Sequence, residues 1–93
     1  MKTHYVKSYQ RSDLWNYYKL LSDRTPPACE VVNFLNVPPS IEIREYDLTN
    51  PGSRIDYEAF WEVGVRISAQ EYEAAYQRAT ADAFTLYING KPQ

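Results

Sequence analysis

In the stretch RISAQEYEAAYQRA, Ser68 stands three residues ahead of Glu71, and no other local signal in the chain announces an element as firmly. The Ser68 hydroxyl can accept from the Glu71 amide while the Glu71 carboxylate reaches back to the Ser68 amide, satisfying two N–H groups that a helix start leaves unpaired. Tyr72, Ala75, Tyr76 and Ala79 then recur at i, i+3, i+4 and i+7. The small members of that stripe let the helix lie close against a sheet, with Glu71, Glu73, Gln77 and Arg78 toward water. The tyrosines of this helix therefore read as core.

A helix of this kind needs a sheet, and the remaining segments supply strands. Residues 1–10 alternate, with His4, Val6 and Ser8 on one face and Tyr5, Lys7 and Tyr9 on the other. Behind Ser12 or Asp13 as a cap, Leu14, Tyr17, Tyr18 and Leu21 have helical spacing, which predicts a helix over 13–22. The proline-bracketed stretch TPPACEVVNFLNVPPS fits a short helix entered at Thr25, or a strand through Val31, Val32 and Phe34; the helix is favoured.

Pro51-Gly52 has the composition of a type II turn, which predicts a hairpin. From Ile55 to Ile67 the odd positions are Ile, Tyr, Ala, Trp, Val, Val and Ile, a period of two. In the partner strand the phase changes between Ile41, Ile43 and Tyr46, Leu48, which predicts a β-bulge near Arg44-Glu45. Phe84, Leu86 and Ile88 alternate ahead of Asn89-Gly90 as a last strand.

The resulting order, strand, helix, strand, strand, helix, strand, resembles the ferredoxin-like βαββαβ sandwich. That resemblance of element order implies an α+β fold with a four-stranded antiparallel sheet, both helices on one face, and an insertion at 25–38. At 93 residues the chain reads as a single domain spanning 1–93.

The other sheet face would then be open, presenting Tyr5, Tyr9, Phe60 and Tyr87, with Asp56, Glu58 and Glu62 around Phe60. An aromatic open face resembles the single-stranded RNA platform of the RRM. Its neighbours are carboxylates where phosphates need Lys or Arg, and the net charge is −2, so direct nucleic-acid binding is not expected.

The chemistry-bearing residues are few. One His and one Cys, without C-x-x-C, H-E-x-x-H or EF-hand spacing, and three isolated glycines give no reason to expect a metal or a nucleotide cofactor. Cys29, in an apolar context, reads as a small core residue. In length and expected fold the chain is similar to small dimeric ferredoxin-like proteins of the antibiotic-biosynthesis-monooxygenase and muconolactone-isomerase kind. That resemblance implies a cavity between helices and sheet in which His4 is the acid–base group, lined by a Tyr or Trp61.

The leading expectation is a non-enzymatic interaction module that binds and inhibits or regulates a partner protein or nucleoprotein complex with a basic surface. Tyr5, Tyr9, Phe60, Tyr87, Asp56, Glu58 and Glu62 are its expected contact residues, since aromatic side chains dominate interface energetics and carboxylates select a basic partner. In size and acidity the chain is similar to virus-encoded inhibitors of bacterial defence complexes, anti-CRISPR proteins among them, although no motif accompanies that similarity. With one cysteine and no long apolar run, a cytoplasmic protein without a membrane span is expected, as a monomer or a homodimer.

Overall fold

The chain opens with a hairpin. In the computed structural model, which describes residues 3–81 and 83–93, β1 (Thr3–Arg11) and β2 (Leu14–Leu21) are antiparallel and joined by Ser12 and Asp13. Both turn residues take positive φ, 51° and 62°, the backbone of a type I′ turn whose twist matches that of the flanking strands. The meander continues antiparallel through β3 (Ala28–Asn33) and β4 (Ser40–Glu45). Helix α1 (Pro51–Val63) then carries the chain back to the β1 edge, where β5 (Val65–Arg66) pairs with β1.

Helix α2 (Ala69–Thr80) returns to the opposite side, where β6 (Thr85–Ile88) lies parallel to β4. A turn through Asn89 and Gly90, both at positive φ, adds β7 (Lys91–Pro92). The sheet order is β5-β1-β2-β3-β4-β6-β7, so the described residues form an α+β fold with a seven-stranded mixed sheet and two helices.

Each helix covers a different face. Adjacent residues of a strand point oppositely, and Tyr17, Val32 and Ile41 pack with Tyr72, Ala75 and Ala79 of α2, whereas Leu20, Cys29 and Val31 pack with Tyr57 of α1. The expected sandwich of four antiparallel strands with both helices on one side differs from this in strand number, in element order and in the placement of the helices. No helix among the described residues is long and apolar enough to cross a membrane.

Four local expectations are corrected. The helix expected over 13–22 is β2, because a strand buried on both faces shows no alternation: Tyr17 lies under α2, while Tyr18 and Leu20 lie under α1. The helix expected from Thr25 is β3, for the same reason at Val31 and Val32. The strand expected over 55–67 is mostly α1, since Asn50 accepts from the Gly52 and Ser53 amides and Pro51 occupies the first turn, where its missing N–H costs nothing. The period of two masked a helical stripe of Ser53, Tyr57, Phe60 and Trp61. Finally, β4 pairs with β3 without a break through Glu45, and the bulge lies instead in β1, between Tyr9 and Arg11.

Other expectations hold. The α2 helix begins at its Ser68 cap, whose hydroxyl accepts from the Glu71 amide at 3.1 Å. The Glu71 carboxylate, expected to return to the Ser68 amide, pairs with Lys7 of β1 at 2.7 Å and so ties the helix start to the sheet. The first strand is described from Thr3, with residues 1 and 2 outside the described residues, and the strand expected through Leu86 and Ile88 is β6, followed by the short β7 in place of an end of the sheet.

Candidate functional site

With a helix on each face, the four aromatics expected on one open surface separate. Tyr5 is half-buried under α2, its ring 5.5 Å from that of Tyr72. Tyr9, on the same side, is exposed near the hairpin end and meets Trp15 edge-on at 5.4 Å. Phe60 lies on the inner side of α1, stacked at 4.9 Å on Tyr18. Tyr87 is half-buried on β6, on the α1 side of the sheet.

The three carboxylates share one helix but not one flank: Glu58 and Glu62 border the hollow at His4, whereas Asp56 stands on the other side with Arg44 and Tyr46. Asp56, Glu58 and Glu62 are all exposed on α1, interleaved with Ile55 and Val63, which are 67% and 77% exposed. Glu58 is held by Arg54 at 3.1 Å, an i, i+4 pair. The helix is thus apolar on its inner side through Tyr57, Phe60 and Trp61, and apolar again at two positions facing water.

Two kinds of cavity flank α1. The first, of about 220 Å³, is lined by His4, Leu20, Tyr57, Trp61, Glu58 and Glu62. The His4 ring sits 4.4 Å from that of Trp61, which also carries the Arg66 guanidinium at 3.9 Å. At its edge the Tyr57 and Ser22 hydroxyls share a hydrogen bond. His4 and Trp61, brought together in expectation, are brought together here by β1 and α1.

The second lies on the part of the sheet that α1 leaves uncovered. Pairing register places Ser8 opposite Asn16, Asn33 opposite Ser40 and Ser40 opposite Thr85, while Asn16 and Asn33 lie one step beyond the Tyr17–Val32 pair. A row of five small polar residues therefore crosses five strands on the α1 side. The next row, Val6, Tyr18, Val31, Glu42 and Tyr87, runs alongside it.

The polar groups of this region are fixed by one another. The Glu42 carboxylate accepts from Asn33 at 3.1 Å and faces Arg44 at 3.5 Å, and Ser40, fully buried, donates to it at 3.4 Å while accepting from Asn36 at 2.7 Å. Asn16, only 6% exposed, accepts from the Phe34 amide at 3.1 Å. None of these residues was a candidate from sequence, because Asn16 and Asn33 fall in segments read as helices and Glu42 shows no special spacing. Strand pairing alone reveals the row.

Ionisation is suppressed in the core. Burial pushes the Cys29 thiol up to about 12, and among the causes for Tyr18, Tyr46, Tyr57, Tyr72 and Tyr76, all raised, burial comes first. Cys29 is therefore a protonated core residue and not a nucleophile. Because these groups keep their protons in the folded state at pH values where the unfolded chain releases them, stability is full below about pH 9 and falls as pH rises beyond it. A urea series at pH 7, 9, 10 and 11 is expected to show the midpoint unchanged to pH 9 and lower at each step above, with thiol labelling of Cys29 following unfolding.

Among the described residues, no three His, Cys, Asp or Glu side chains converge as metal ligands would. No protein-family model, curated protein or solved structure matches this chain.

Proposed function

We propose that the protein is a non-catalytic interaction module that captures a partner protein on the α1 side of its sheet. The observation that carries this reading is the outer face of α1, where Ile55 and Val63 stand exposed amid Asp56, Glu58 and Glu62. Exposed aliphatic side chains gain by burial against a partner, at about 25 cal/mol per Å². The carboxylates select a basic partner surface and speed the encounter. Tyr5 plays no part in that contact, and Phe60 acts from within by holding α1 on the sheet.

The test places a photo-crosslinking residue at Ile55, at Val63, or at Lys91 on the far edge, and exposes each protein to an extract of the source organism. The expected result is one specific adduct from positions 55 and 63 and none from 91, both weakened by raised salt and that from position 63 weakened by Ile55→Arg. Equal labelling from all three positions would sink the reading.

A second reading, binding of a small ligand in the His4 cleft, is favoured by the 4.4 Å approach of His4 to Trp61 in an apolar-lined cavity. The same experiment separates the two. In the partner reading, His4→Ala leaves the adduct at position 55 unchanged.

A further inference from the structure

The polar row lies in a continuous groove beside α1. At the β1 end its lining is apolar, with Ala59, Phe60, Val63 and Gly64. Over β2, β3 and β4 it becomes amide and ionic, with Asn16, Asn33, Glu42 and Arg44. At the β6 end it presents Asn36, Thr85 and Tyr87. The first two stretches share Tyr18 and Phe60, and the last two meet where Ser40 bonds Glu42. Their volumes are about 200, 210 and 260 Å³.

We infer that this groove receives an extended peptide segment of the partner protein, running across the strands; the inference rests on the partner-binding reading above. Four steps between neighbouring strands, at about 4.8 Å each, make it roughly 19 Å long, the span of about six extended residues. Where the row reaches the surface, at Ser8, Asn33 and Thr85, amide and hydroxyls both donate and accept, as each peptide unit does, while Asn16 and Ser40 lie buried beneath. Asn16 and Asn33 are held in place by the Phe34 amide and by Glu42, so little ordering cost remains for a ligand to meet. Asn, Ser and Tyr together are also the residues that antibody combining sites use against protein surfaces.

The change of chemistry along the groove selects a peptide over a glycan. A repeating sugar chain offers the same surface at each unit, whereas a peptide places a different side chain at each subsite. Charge disfavours a nucleic acid: among the described residues Arg44 is the one cation lining the groove and already faces Glu42, and Asp56 stands beside Arg44 at that end. The matching segment carries a bulky apolar residue for the Phe60 end and neutral or basic residues beyond it.

The probe is a randomised heptapeptide library displayed on phage and selected on the full chain, with the consensus peptide then titrated by NMR. Support consists of a shared apolar residue followed by polar or basic ones, and of saturable shifts at Asn33, Glu42, Thr85 and Tyr87. Ser8→Arg and Thr85→Arg, one at each end, are expected to weaken binding at least tenfold, with Gln77→Arg, exposed on α2 on the opposite face, at wild-type affinity. Should an arginine variant lose the fold by circular dichroism, Ser8→Gln and Thr85→Gln take its place. A selection without common pattern overturns the inference, as do binding indifferent to both groove variants and saturable shifts with chitotetraose or cellotetraose in place of the peptide. An adduct at Ile55 that survives both groove variants removes the groove while leaving partner capture in place; peptide binding without any adduct removes the outer face of α1 instead.

Discussion

Replacing Tyr72 by alanine is expected to destabilise the protein by about 3–5 kcal/mol, the usual cost of truncating a buried aromatic side chain. Tyr72 is 1% exposed, lies at the centre of the cluster that joins α2 to β2, β3 and β4, and meets the ring of Tyr5 at 5.5 Å. Its hydroxyl also donates to the Glu30 carboxylate. The two contributions separate in Tyr72→Phe, which keeps the ring and removes the hydrogen bond, for an expected loss of about 1–3 kcal/mol. Urea midpoints at constant slope report both. Equal losses for the two variants would mean that the hydrogen bond, and not the packing, holds α2 to the sheet.

Gly64→Ala is the second large effect. An added Cβ would lie 2.6 Å from the Phe60 carbonyl oxygen and 2.8 Å from Cβ of Val6, which is fully buried. Neither neighbour can swing away, because one is backbone of the last turn of α1 and the other a β-branched side chain in the sheet. The expected cost is about 1–3 kcal/mol from overpacking, and more for Gly64→Val. Gly52→Ala is the contrasting case, since its added Cβ meets only the Asn50 side-chain oxygen at 3.4 Å. That variant is expected to be neutral or up to about 1 kcal/mol stabilising through helix propensity. If urea denaturation showed equal losses at both glycines, close approach of α1 to β1 would not be the cause.

The Gly64 contact also bears on function, because it sets how near α1 lies to β1 and hence the width of the apolar end of the groove. Widening that end by Phe60→Ala is a less direct test of ligand binding, since Phe60 also supports Tyr18 and Tyr46.

What could be read in advance depended on how local the signal was. The Ser68 cap, the tyrosine–alanine stripe of α2, the alternation of β1 and the core role of Cys29 were all legible, because each rests on neighbours within a few residues. The Asn50 cap and Pro51 of α1 were equally local but were outweighed by a chance period of two in the residues that follow. The acidic trio was legible as exposed charge, although its carrier is a helix and not a strand. The pairing of His4 with Trp61 was reached through an expected cavity, and the two rings do meet.

The amino-acid sequence by itself determined the Ser68 cap, the Asn89-Gly90 turn after β6, and the small-residue face that lets α2 approach the sheet. Only the tertiary structure decided that residues 14–21 and 28–33 are strands: covered by one helix on each face, they are apolar on both sides and lose the alternation that would identify them. It likewise decided that Ser8, Asn16, Asn33, Ser40 and Thr85, scattered over 78 positions of the chain, form one row. Pairing across strands is a long-range choice made by the whole sheet, and no spacing along the chain encodes it.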